Sequence, residues 1–275
     1  CIRDSYVPGY FEVDIKKGES IIFSAGISEI SPRRLKQTFE AEVADRTPRD
    51  SFYHCLKNSA HQFHNKQEED HYILAGYPWF KCRARDMFVS LPGLTLAVDE
   101  IGEFEDVMET ARKAINNYIK GEPIGCKIYE MDDPDVLLWA VWALQQYAKE
   151  TSREQCRAKY GSLLEEIIDF IRQRKHDNLF LHENGLLYAN GADRAITWMN
   201  STVNGRPVIP RTGYIVEINA LWYNALRFIA DLVREGGNGL LADSLDAQAE
   251  VTGKSFVEVF RNEYGYLCLL YTSPS

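Results

Sequence analysis

Two stretches of this chain bring together side chains that could bind and process a sugar. The first is segment 76–88 (GYPWFKCRARDMF), which sets Trp79 and Phe80 beside Lys81, Arg83, Arg85 and Asp86. The C–H face of a pyranose packs on an indole, while Arg and Asp make charge-assisted hydrogen bonds to vicinal hydroxyls. The same spacing also fits a structural role, with Trp79 and Phe80 in the core and Arg85-Asp86 as a charge pair at a helix N-terminus. The second stretch is TWMN at 197–200 followed by PRTGYIVEINALWYN at 210–224. Glu217, Ala220, Leu221 and Asn224 share one helix face, opposite the stripe of Ile215, Ile218 and Trp222. Such a helix can line a polar cavity; a buried Glu217 paired with Arg211 is the structural alternative. His61 and His64 are spaced i,i+3 and could ligate a metal on a helix, but no further ligand follows at a regular spacing, so a solvated face is the better reading and no metal or other cofactor is expected.

These groups need elements to hold them. From residue 84 onward the apolar residues recur at the three- and four-residue spacing of amphipathic helices. Helices are predicted at 87–97 and 103–120, 134–150 and 153–174, and 214–235 and 239–264, read as three successive hairpins of a helical toroid or solenoid. Between the second and third lies a loop of about forty residues, 175–213, rich in Gly and Pro; loops of that length in compact domains are usually functional. Upstream, 11–15 alternates apolar and polar, Lys17-Gly18 turns, and 21–23 is apolar, which predicts a hairpin. Residues 1–30 then read as the last strands of a β domain, since two strands form no core alone. Ser31-Pro32 opens a helical linker over 31–67, with helices at 33–46 and 50–66.

The chain has 275 residues with 45% hydrophobic and 26% charged, the balance of a globular protein. Its 40 acidic against 31 basic residues leave a net charge of -9, which argues against nucleic acid as a partner. No apolar run is long enough to span a membrane and no secretion signal opens the sequence. The six cysteines lack tight spacing and are read as reduced, giving an expected cytoplasmic location. The start at Cys1 and the run 269–275 (LLYTSPS) suggest a fragment with a non-native tail.

Four ordered strings, AGYPWFKCRARDMFVSLPGLTL, DVLLWAVWALQQY, GLLYANGADRAITWMN and PRTGYIVEINALWYNAL, resemble the amylo-α-1,6-glucosidase family of bacterial and archaeal glycogen debranching enzymes. The resemblance runs from about residue 50 to 268. It implies a mostly α fold, an (α/α)6 barrel of the six-hairpin glycosidase type, with 68–268 as its N-terminal half. It implies an inverting glycoside hydrolase acting on the α-1,6 branch points of glycogen or a related glucan, in which one carboxylic acid protonates the glycosidic oxygen and a carboxylate activates water. In that family Arg85-Asp86 would hold hydroxyls of the terminal glucose, Trp79 and Trp198 would supply stacking surface, Arg211 and Glu217 would line the pocket, and Asp135 of the DxxLW motif would stand near its mouth. The family usually reads Thr-Trp-Met-Asp where this chain ends in Asn200, and that Asp is the expected general acid. An amide cannot supply the proton. Either Glu217, Asp193 or Asp86 takes over, or the site binds glucan without efficient turnover. The general base is expected in the missing half of the barrel, so the fragment itself is expected to be inactive. A helical-repeat scaffold for protein partners is the third possibility; it would scatter Trp79, Arg85, Asp86, Trp198 and Glu217 over different surfaces.

Overall fold

A computed structural model describes residues 9–26, 30–77 and 79–271, which fall into two compact units that divide after Asn58. In the first unit, Lys17-Gly18 makes the expected turn, with Gly18 at φ 91° and the Glu19 amide donating to the Lys16 carbonyl at 3.0 Å. The strands expected at 11–15 and 21–23 do not form: these residues make no ladder, and their one visible cross-contact is Phe11 on Phe23, with ring centroids 5.9 Å apart. An isolated pair of short strands has no third strand or helix to cover its apolar side. Ser31 then precedes a 3₁₀ turn at Pro32–Arg34 that leads into helix α1 (Leu35–Asp45). No residue of α1 is buried; its support is local, from Lys36–Glu40 at 3.8 Å and Glu42–Arg46 at 3.7 Å, pairs worth about 0.3–0.5 kcal/mol each.

Helix α2 (Phe52–His61) ends five residues short of the predicted 66, because His64–Gln67 (β1) turns back to pair with Asp70–Ile73 (β2). His61 therefore closes a helix while His64 opens a strand, and the two do not share a helix face. They meet carboxylates instead, His61 with Glu100 at 3.4 Å and His64 with Glu103 at 3.3 Å.

The second unit is mostly helical. β3 (Cys82–Arg83) pairs in parallel with β4 (Ile128–Tyr129) and runs directly into α3 (Ala84–Leu94). There follow α4 (Ile101–Lys120), α5 (Val136–Glu150), α6 (Arg153–Arg172), α7 (Val216–Glu235) and α8 (Gly239–Phe260). Within the long loop lie β5 (Leu179–Leu181), β6 (Leu187–Ala189), β7 (Thr202–Val203), β8 (Arg206–Pro207) and β9 (Gly213–Ile215). The helices pack by alternate rank in two layers: α3 lies on α5 and α5 on α7, while α4 lies on α6 and α8 covers α7. The predicted first hairpin is thereby corrected, since α3 packs on α5 and α4 on β2 and α6. This is a mostly α, glycosidase-type arrangement, and the described residues close no barrel.

The core between the layers is aromatic and aliphatic. Phe104 stacks on Tyr147 with centroids 5.1 Å apart, Tyr147 meets Tyr160 edge-on at 5.5 Å, and Trp222 is wholly buried. Burying each such side chain contributes about 1.5–3 kcal/mol. No helix among the described residues is long and apolar enough to cross a membrane.

The long loop is held against α7 by buried polar groups. Asn219, fully buried, accepts from the Leu187 amide at 2.7 Å and donates to the Leu187 and Ile215 carbonyls at 3.0 Å. β5, β6 and β9 form an antiparallel sheet, and a fourth strand, β10 (Leu270–Tyr271), adds beside β9. Residues 270–271, expected to carry no strand logic, thus pair with Ile215 and Tyr214; residues 272–275 lie outside the described part.

Candidate functional site

The N-terminal ends of α3, α5 and α7 point at one cavity of about 510 Å3, and each supplies a carboxylate there. Asp86 sits in the first turn of α3, Asp135 is the N-cap residue of α5, and Glu217 sits in the first turn of α7. A helix start carries partial positive charge, so all three positions suit an acid. Arg85, Trp139 and Trp198 complete the wall with Phe63, Val89 and Ser90.

Arg85 forms the floor. Its Nε donates to Asp135 Oδ2 at 2.8 Å, and its Nη2 donates to Asp135 Oδ1 at 2.8 Å, Asp133 Oδ2 at 2.7 Å and the Ile196 carbonyl at 3.0 Å. Trp139 Nε1 donates to Asp135 Oδ2 at 3.2 Å, and Arg194 Nη2 to Asp133 Oδ1 at 3.1 Å. Burial pushes the Asp133 carboxyl up to about 6 against the pull of Arg85. Burial also works against the charge of Arg85, but the bonds from Asp135 and Asp133 outweigh it and hold the guanidinium above its ordinary value. Arg85 thus ties α3, α5 and the Ile196 loop to one another while it also lines the cavity, so it has a positioning role at the site.

A second pair stands on the opposite wall. Arg211, 2% exposed, grips Glu217 through both terminal nitrogens, with Nη2 to Oε2 at 3.0 Å, and its Nη1 also donates to Thr197 Oγ1 at 3.3 Å. Trp198 Nε1 donates to Glu217 Oε1 at 3.1 Å. The Trp198 loop lies this close because residue 191 is glycine: a Cβ there would come within 2.7 Å of the Arg211 carbonyl oxygen and 2.8 Å of Ile196.

The chain matches the family model for amylo-alpha-1,6-glucosidase over residues 56–272. The chain belongs to that family. It is a glycosidase family, of the glycogen-debranching type, and no curated protein matches the chain.

Of the residues expected from the family's motifs, Arg85, Asp86, Asp135, Trp198 and Glu217 meet at the cavity, and Arg211 stands directly behind Glu217. Trp79 does not join them. It is 60% exposed, on a loop closed by a bridge between Gly76 and Phe80, away from the cavity wall. Asn200 is also off the wall: its carbonyl, turned to satisfy the local hydrogen bonds, accepts from Arg83 Nη2 at 2.8 Å. Arg83 in turn bonds Glu130 at 2.7 Å. Asp193 is exposed and does not line the cavity. The residues that sequence reasoning missed are Trp139, Asp133, Arg194 and Ser90. For Trp139 a signal existed, since it lies four residues after Asp135 and so on the same helix face. For Asp133 and Arg194 none did, because their partners are distant in the chain.

Proposed function

We propose that the cavity receives a non-reducing-end glucose of a branched α-glucan such as glycogen, and that the enzyme hydrolyses its α-1,6 linkage with inversion. What carries this reading is the convergence of Asp86, Asp135, Trp139, Trp198 and Glu217 on one cavity. Trp139 and Trp198 each donate their indole N–H to a carboxylate, and Trp198, 58% exposed, keeps ring surface for the apolar side of a pyranose. Asp86 and Glu217 offer acceptors to hydroxyls. The scaffold alternative predicted Trp79, Arg85, Asp86, Trp198 and Glu217 scattered over different surfaces; all of them but Trp79 line the one cavity, which speaks against it.

Inverting hydrolysis needs a proton for the departing oxygen and a carboxylate to activate water from the other face of the ring. Glu217 has both oxygens committed to Arg211 and Trp198, and Asp135 both of its own to Arg85. Asp86 is different: its side chain is 45% exposed, and its nearest guanidinium, Arg83, stands 3.8 Å away. Asp86 is therefore the carboxylate left free to act on the substrate, and our candidate to take the place of Asn200. Asn200 itself favours a second reading, in which the site binds glucan with little turnover.

The test is glucose release from an α-1,6-branched dextrin by the protein, beside its Asn200→Asp and Asp86→Asn variants. The first reading expects release by the parent protein and a loss of about 10²- to 10⁴-fold in kcat in Asp86→Asn. Binding without release, with release gained in Asn200→Asp, would establish the second. Neither binding nor release would sink both.

A further inference from the structure

Asn200 stands off the cavity wall, yet the short segment that carries it, 196–201, brings Trp198 to the cavity and is held by an arginine toward each end. At its start Arg85 Nη2 donates to the Ile196 carbonyl at 3.0 Å, and Arg211 Nη1 donates to Thr197 Oγ1 at 3.3 Å. Toward its end Arg83 Nη2 and Nη1 donate to the Asn200 carbonyl oxygen at 2.8 and 3.3 Å, with the amide turned to suit them. Trp198 lies between these anchors with its indole N–H on Glu217.

The guanidinium that meets Asn200 already faces negative charge. Arg83 Nε donates to Glu130 Oε2 at 2.8 Å, Nη2 stands 2.7 Å from the same carboxylate, and Asp86 Oδ2 lies 3.8 Å from Nε. Glu130 keeps its place with a φ of 62°, a left-handed backbone that residues with a Cβ seldom adopt. Farther out, Arg194 pairs with Asp132 and also feels the charge of Glu130. With two carboxylates on one guanidinium, a neutral amide supplies the remaining acceptor without a third negative charge. We infer that Arg83 is a positioning residue: it anchors the Trp198 segment through residue 200, which serves there as a hydrogen-bond acceptor and is thereby withheld from giving a proton to the substrate. This rests on the sugar-binding reading of the cavity and narrows which of its groups can act on the sugar. A carboxyl at position 200 would be held ionised by the bonds Arg83 now makes to the amide. With Arg83 neutralised, Glu130 and Asp86 would push the same carboxyl toward its protonated form.

Two measurements test this role, one of them without sugar. The carboxyl introduced by Asn200→Asp is followed by NMR titration of aspartate-labelled protein, once with Arg83 in place and once with Arg83→Met. Its midpoint is expected at least about one pH unit lower with Arg83 in place. A smaller difference overturns the inference. Calorimetric titration with glucose then reads the anchor. Arg83→Met and Asn200→Leu are each expected to weaken binding about tenfold, and the two combined no more than either alone. Asn200→Asp, which keeps an acceptor, is expected to bind as the parent protein does. Additive losses, or a loss in Asn200→Asp equal to that in Asn200→Leu, overturn the inference. Glucose release gained by Asn200→Asp with Arg83 in place also overturns it, and leaves the binding reading standing. A melting temperature near the parent's confirms that each variant folds; should Arg83→Met fail to fold, Arg83→Gln removes the same charge and makes the same comparison. Absence of glucose binding by the parent protein sinks the sugar reading, while the NMR titration still decides the role of Arg83.

Discussion

Arg85 and Arg211 are both buried and both gripped by carboxylates, yet the two pairs leave different things open to the cavity. The carboxylates on Arg85 are shut in with it, Asp135 at 1% and Asp133 at 7% side-chain exposure, whereas Glu217 on Arg211 keeps 23%. A nearly buried ion cluster has lost most of its hydration and is held by its charge-assisted hydrogen bonds, so it fixes positions. A pair with one wet edge still has acceptor capacity for a hydroxyl. The same residue chemistry therefore builds the floor at one wall and a ligand contact at the other.

The sharpest way to break this comparison is to remove each arginine's charge. Arg85→Leu leaves the nearly buried carboxylates of Asp133 and Asp135 without the guanidinium that pairs them, and we expect a loss of about 3–5 kcal/mol of stability, read by urea denaturation. Arg211→Leu is expected to lose clearly less, because Glu217 can turn its open edge to solvent. Equal losses would mean that the two pairs do the same work.

Acid offers a smaller probe of the floor. Asp133, raised to about 6, takes up a proton in the fold that it would not hold when unfolded, so its contribution to stability falls as pH rises from about 4 to 6. His176, which burial lowers to about 4, behaves oppositely: the unfolded chain takes the proton first, so stability is lost as pH falls from 6.5 toward 4. Each contribution is about 3 kcal/mol over its window. The two slopes oppose each other. Asp133→Asn should therefore make stability more acid-sensitive than in the parent protein, and His176→Asn less so, in denaturation series between pH 4.5 and 6.5. A tilt in the same direction for both variants would discard this account.

How far the sequence foretold this comparison depends on the range of each contact. The helices were legible because their signal is local: 103–120 and 214–235 were predicted where Ile101–Lys120 and Val216–Glu235 form. α3 was placed three residues late, since its start is set by β3 pairing with β4, forty-six residues on. Arg85, Asp86 and Glu217 could be nominated from residue type and motif, but the role of Arg85 could not, because Asp133, Asp135 and Ile196 reach it only through the packing of α3 on α5. Trp79 shows the same limit in reverse: its type suits a sugar, but it stands exposed between the bridged Gly76 and Phe80 and does not line the cavity.

On the ligand side the comparison predicts that Glu217 matters to binding more than to folding. Glu217→Gln keeps the shape and one acceptor but gives up the charge that Arg211 and Trp198 hold in place. We expect about tenfold weaker glucose binding with at most about 1 kcal/mol of stability lost. A variant that unfolds while its remaining folded fraction binds normally would move Glu217 to the structural side.

The smallest expected effect separates the two uses of Trp139. Its N–H serves the floor, through Asp135, and its ring serves the cavity. Trp139→Phe removes the hydrogen bond and keeps an aromatic face, so stability should fall by about 0.5–1.5 kcal/mol while glucose affinity changes by less than about twofold. If affinity collapses while stability holds, the indole itself contacts the sugar and the division between floor and ligand face does not run through this residue.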